Sequence, residues 1–226
     1  MEKLLKEKDE EYIKDLFAKN LVEEVTLTLF LESKGGTHVN NYNEQYLDYT
    51  EEMVNEVAAL SDKIRVQIFR DNAEKEKDYG IREISALFIE GKNTHKNVVY
   101  YGIPSGHEFS SLLEDIVDVS KGLTELPESV KNQVRKISSP VEILVFVTPT
   151  CPYCPRAVRT AHQFAMENSL INGVMVEANE FPEWSNEKNV SAVPKIVINS
   201  KVEFEGALPE DAFLNYVYES LGIKLV

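Results

Sequence analysis

The 226-residue chain has two cysteines, and they stand three residues apart, at Cys151 and Cys154 in the run TCPYCP. Two thiols at this spacing support three kinds of chemistry: half of a zinc site, a structural disulfide, or electron shuttling by thiol–disulfide exchange. Zinc needs two further ligands, and the four histidines, His38, His95, His107 and His162, show no paired spacing. A structural disulfide across so short a loop contributes only about 2 kcal/mol in the chain-entropy account. Exchange needs an accessible sulfur, a stabilised thiolate and a resolving thiol beside it. Pro155 suits the first turn of a helix. Cys151 then stands at a helix N-terminus, where unpaired N–H groups and the positive dipole end favour the thiolate. Arg156 and Arg159 follow on that helix, and Lys195 comes directly after Pro194. On a chain of formal charge −14, these three offer a basic collar round the sulfur, the alternative being ordinary solvated positions. Tyr153, between the cysteines, either packs on a substrate or caps the turn.

The elements that must position this turn are readable on both sides of it. VEILVFV, Val141–Val147, is a continuous apolar run rich in branched residues, the pattern of a buried strand. After the cysteines, Ala157, Val158, Ala161, Phe164 and Ala165 recur at helical spacing. A second strand is predicted at 174–176 and a short helix at 182–189. A third strand begins after Pro194, with a hairpin partner in VEFEG. A closing helix spans 209–221, with Phe213, Leu214, Val217 and Leu221 on one face. The order is strand, helix, strand, helix, strand, strand, helix.

This C-P-Y-C on a strand-to-helix turn, with Val193-Pro194 opening a later strand, resembles glutaredoxin and the wider thioredoxin superfamily across the second half of the chain. The resemblance implies a cis bond before Pro194, facing the cysteines, and a Val193 backbone free to pair with an extended substrate. Two departures stand out. Val145 occupies the place of the buried acid six residues before the first cysteine of thioredoxins. EGALPED, with the single glycine Gly206, stands where glutaredoxins carry Gly-Gly then Asp for glutathione.

The same order of elements appears earlier. Val25–Leu31 parallels Val141–Val147, and residues 79–89 parallel 188–198, laying Ile84 over Val193 and Ser85 over Pro194. Residues 98–102 with Phe109 parallel 202–206 with Phe213, and helical patterns at 10–19 and 128–137 precede the two first strands. The expected fold is α/β, two tandem thioredoxin-like units, each a mixed central sheet flanked by helices. The expected division is residues 1–120 and 121–226, with Gly122 and Pro127 interrupting the chain at the boundary. Such a tandem resembles the protein disulfide oxidoreductases of hyperthermophilic archaea and bacteria, on FVTPTCPYCP, AVPKIVI and PSGHEFSSLLEDIVDVS. Members of that family commonly carry C-x-x-C in both units. Here the first turn reads LESKGGTHVNNYN, with Gly35-Gly36 in place of cysteines and Ser85 in place of the proline. Within PSGHEF, His107 reads as a surface residue at a helix start, and Trp184 as packing its helix on the sheet.

Composition narrows the partners. The 24 Lys and Arg against 38 Asp and Glu give a surface that repels nucleic acid and anionic membrane. MEKLLKEKDEEY lacks the apolar stretch of a signal peptide, so a cytoplasmic location is expected. The expected activity is that of a protein disulfide oxidoreductase in which Cys151 attacks, Cys154 resolves and no bound cofactor takes part. Pro194 completes the catalytic set. Tyr153, Val193, Arg156 and Lys195 contact substrate. Protein thiols and disulfides are the substrates, and an upstream disulfide reductase donates electrons. The alternatives are an iron–sulfur carrier ligated by Cys151, or a peptide-binding adaptor or holdase working through the first unit.

Overall fold

The computed structural model describes residues 3–33, 44–92, 94 and 96–223. The Gly35-Gly36 turn, His38 and His95 lie outside the described residues. The chain runs α1 (Glu7–Asn20), β1 (Val25–Leu31), α2 (Glu44–Ala58), β2 (Ile64–Arg70), α3 (Ala73–Tyr79), β3 (Ala86–Glu90), β4 (Val98–Tyr101) and α4 (Glu108–Lys121). It continues α5 (Glu128–Val134), β5 (Val141–Val147), α6 (Cys154–Glu167), β6 (Ile171–Glu177), α7 (Pro182–Glu187), β7 (Lys195–Ile198), β8 (Val202–Glu205) and α8 (Glu210–Ser220).

The eight strands form one sheet in the order β2-β1-β3-β4-β6-β5-β7-β8. The pairings of the first half recur in the second: β1 is parallel to β2 and antiparallel to β3, and β5 is parallel to β6 and antiparallel to β7. β3–β4 and β7–β8 are both antiparallel hairpins. Two thioredoxin-like units therefore stand side by side. They meet where β4 pairs in parallel with β6, in the register Val98↔Gly173 to Tyr101↔Val176.

Alternation along the strands divides the interior into two layers. One face, with Leu27, Leu29, Tyr100, Val145, Met175 and Ile196, packs against buried residues of α1, α2, α4, α5, α6 and α8. The other, with Phe30, Phe88, Tyr101, Phe146 and Val176, meets Trp184 of α7 and Tyr79 at the end of α3. Trp184 does pack its helix on the sheet, and it bridges the halves, edge-on to Tyr101 of β4 and Phe146 of β5. β6 starts three residues before its predicted limit because Ile171, Asn172 and Gly173 pair with β5. Gly173 is needed there: a Cβ would fall 2.6 Å from the Ala161 carbonyl of α6. α5 is shorter than its apolar pattern suggests, ending at Val134.

Candidate active site

β5 delivers the chain into Thr148-Pro149-Thr150, and α6 begins at Cys154 with Pro155 in its first turn. Cys151 and Cys154 are joined by a disulfide with their Cα atoms 5.5 Å apart. The two sulfurs are not equivalent. Cys151 keeps 7% of its surface, whereas Cys154 is fully buried. The Cys154 backbone N–H points at Cys151 Sγ, 3.2 Å away, so an unpaired amide of the helix start is already aimed at that sulfur. On its other side Cys151 Sγ lies 3.7 Å from the Val193 carbonyl oxygen. The Val193–Pro194 bond is cis, and so is Ile84–Ser85 at the matching place in the first half. Pro194 is anchored from behind, its carbonyl accepting from Gly206 N–H at 2.9 Å.

The remaining sequence candidates separate. Tyr153 is 71% exposed, and its side chain makes no hydrogen bond that caps the turn. Arg156 stands in the exposed first turn of α6, 3.6 Å from Glu210. Lys195 was expected to contact substrate, but it is buried. Its ammonium is held by the Asn189 carbonyl and by Glu203, each at 3.2 Å. Period-two alternation along β7 puts it on the same face as Val197, the α7 side of the sheet.

The basic collar is not formed either. Arg159 is buried, and its guanidinium binds three carboxylates of α4: Glu114 at 3.1 Å, Asp118 at 2.6 Å, and Asp115. One turn further along α6, fully buried His162 joins Asp115 through Nδ1 at 2.6 Å and lies 3.2 Å from the Val99 carbonyl. Tyr100 of β4 donates its hydroxyl to Asp115. Burial works against the Asp115 carboxylate, but Arg159 and His162 outweigh it and hold the carboxyl below its ordinary range. At Asp118 burial prevails over Arg159 and the shift is upward. No sequence pattern on α6 marked these charges as internal.

The first half also reaches the cysteine loop directly. The loop 102–107 between β4 and α4 touches the second half at both ends. Ile103 N–H donates to Glu180 at 2.8 Å, and His107 N–H donates to the Pro149 carbonyl at 3.0 Å. His107 has an exposed side chain, as its sequence context implied. Its neighbour Glu108 did not stand out in the sequence. Glu108 is buried, with one oxygen bonded to Ser111 at 2.9 Å and the other without a partner. Burial pushes its carboxyl up to about 7. Burial does the same for Glu180, against the Ile103 N–H that favours the charged form. A glutamate two residues after Gly106, followed by an apolar helix face, was the available signal.

Among the described residues, no group of three or more His, Cys, Asp or Glu is arranged to hold a metal ion. Among the described residues, no helix is long and apolar enough to cross a membrane.

A family model described as a thioredoxin domain matches residues 141–219. The chain is 28% identical over 149 residues to the NADH dehydrogenase of Bacillus subtilis (strain 168), covering 66% of this chain and 27% of that protein. It is 26% identical over 150 residues to an alkyl hydroperoxide reductase component of Staphylococcus epidermidis, with the same coverage of 66% and 27%. The chain thus spans just over a quarter of the length of these curated relatives. A protein disulfide oxidoreductase from Aeropyrum pernix K1 superposes with a TM-score of 0.85 at 26% identity, covering 98% of this chain and 96% of that one. The alkylhydroperoxide reductase component AhpF of Enterococcus faecalis superposes with a TM-score of 0.81 at 25% identity, covering 94% and 99%. The chain is a tandem thioredoxin-fold protein like these two, with a single C-x-x-C, at 151–154, in its second unit.

Proposed function

We propose, from the two-unit thioredoxin architecture that this chain shares with protein disulfide oxidoreductases, that it exchanges disulfides with protein substrates through Cys151 and Cys154. The observation that carries this reading is the asymmetry of the pair. Cys151, which keeps 7% of its surface, has its sulfur between a helix-start amide at 3.2 Å and the Val193 carbonyl at 3.7 Å, and its partner Cys154 is fully buried.

In the reducing direction the dithiol form acts. The Cys151 thiolate attacks one sulfur of a substrate disulfide, forming a mixed disulfide and expelling a substrate thiolate that takes up a proton. Cys154 then loses its proton and attacks Cys151 Sγ, which releases the second substrate thiol and closes the Cys151–Cys154 disulfide. Two electrons and two protons pass to the substrate. An upstream disulfide reductase restores the dithiol. The Cys154 N–H stabilises the Cys151 sulfur as attacker and as leaving group. Tyr153 supplies an exposed aromatic surface beside Cys151, and the Val193 backbone pairs with the extended substrate segment. Arg156 offers a cation at the rim. Residues 1–120 and 121–226 form the two units, and the chemistry belongs to the second. A cytoplasmic location fits a chain whose only cysteines are the exchanging pair.

The test is catalysis of insulin reduction by dithiothreitol, followed by turbidity. Wild type accelerates precipitation and Cys151→Ser does not. Equal rates with and without Cys151 would overturn the assignment.

A further inference from the structure

α6 carries the buried cysteine at its first residue, and it is fastened along its length to the unit that has no cysteines. Arg159 binds Glu114, Asp115 and Asp118, His162 binds Asp115 and faces the Val99 carbonyl, and Asn97 donates to the Ala165 and Ile171 carbonyls. A contact between two helices does not require charge, since buried ion pairs seldom outdo well-packed apolar residues. Here one guanidinium meets three carboxylates. Asp115 is wholly buried, with Tyr100 bonded to it and Glu108 on the same helix facing it electrostatically. At 1.5 Å of rise per residue, Arg159 lies about 7.5 Å along the axis from Cys154. Charges enclosed at that range are screened far less than surface charges.

We propose that Asp115 and Arg159 are positioning residues through which the cysteine-free unit tunes the dithiol–disulfide equilibrium of Cys151 and Cys154. This rests on the reading of that pair as redox-active. The Arg159 cation favours the Cys151 thiolate and with it the reduced form, and the Asp115 carboxylate opposes both. Asp115 and Arg159 act on the thiolate with opposite sign. A unit charge about 10 Å away, at an effective dielectric constant of about 20–40, changes an equilibrium by roughly four- to fifteen-fold.

The experiment equilibrates the full-length protein with dithiothreitol buffers and reads the fraction of free thiol in wild type, Asp115→Asn, Arg159→Met and Arg159→Lys. Asp115→Asn should shift the equilibrium several-fold toward the dithiol and lower the pH at which thiolate absorbance appears. Arg159→Met should shift both readouts the opposite way, and Arg159→Lys, which keeps the charge, should stay within about twofold of wild type. Loosened packing alone would move Asp115→Asn and Arg159→Met in the same direction, and that result, or no shift in either, overturns the proposal. Should Arg159→Met fail to fold, the contrast between Asp115→Asn and Arg159→Lys still decides it. A wild-type pair that never equilibrates with the buffer would instead refute the redox reading itself.

Discussion

The His107 backbone N–H donates to the Pro149 carbonyl at 3.0 Å, and so ties the N-cap of α4 to the loop two residues before Cys151. The unit without cysteines is thereby part of the frame of the site. Its loop 102–107 is held between Glu180 and Pro149.

Gly106 makes that approach possible. Its φ is +61°, and a Cβ there would lie 2.2 Å from the Pro149 oxygen and 2.9 Å from its carbonyl carbon, backbone atoms that cannot swing aside. Gly106→Ala should push the cysteine loop off α4, lowering stability by more than the about 1–2 kcal/mol of a left-handed alanine and slowing insulin reduction several-fold. Gly80→Ala is the control. Its φ is +66°, but nothing lies within 4 Å, so it should show the conformational cost with an unchanged rate. Matching rates in the two variants would separate loop 102–107 from the chemistry.

On the proposed function, the burial difference between the two cysteines predicts their order of attack. Cys154→Ser should accumulate a mixed disulfide with a protein substrate, and peptide mapping should find it on Cys151. Cys151→Ser should trap nothing above background, because Cys154 is enclosed. A partner found on Cys154 would reverse the roles.

Glu108 should give stability a pH slope of defined sign. Its carboxyl stands at about 7 in the fold against an ordinary 4.5, so between these values the folded state binds more protons than the unfolded chain. Stability therefore falls as pH rises from about 4.5 through 7, by about 3 kcal/mol for this one group. Glu180, also at about 7, adds a slope of the same sign. Glu108→Gln should flatten the decline, gaining on wild type at pH 8 relative to pH 5 in urea unfolding. Parallel pH profiles for the two proteins would show that Glu108 ionises freely in the fold.

Residues 121–226 alone should not fold as a stable unit. Separation leaves β6 without β4, and it removes the α4 carboxylates that hold Arg159 and His162. With α4 and β4 gone, the face of α6 and β6 that they cover turns to water, and the stabilisation from that burial is lost. The expected result is non-cooperative urea unfolding of the fragment at neutral pH. A sharp transition matching that of the whole chain would mean the junction contributes little.

Much of this was legible along the chain. The bounds of β1 and β5 coincide with their apolar runs, because central strands buried on both faces show continuous branched residues. The helix after the cysteines was marked by Pro155 and by the spacing of Ala157, Val158, Ala161, Phe164 and Ala165. β2 gave no such bounds. It is an edge strand whose burial is mixed, in IRVQIFR, and half-exposed strands carry a weaker pattern.

What the sequence by itself determined is the chemistry and the repeat: two thiols three apart at a strand-to-helix turn, and one order of elements used twice. Tertiary structure alone decided how the units join and what the charges do. The β4–β6 pairing is made by backbone groups, which have the same donors and acceptors at every strand edge and leave no mark on residue type. Arg159 looks solvated in a helical pattern, since burial of a charge depends on partners, and Asp115 lies 44 residues earlier in the chain. Lys195 follows the proline in the sequence but turns to the opposite layer, because alternation in a strand separates neighbours that adjacency seems to unite.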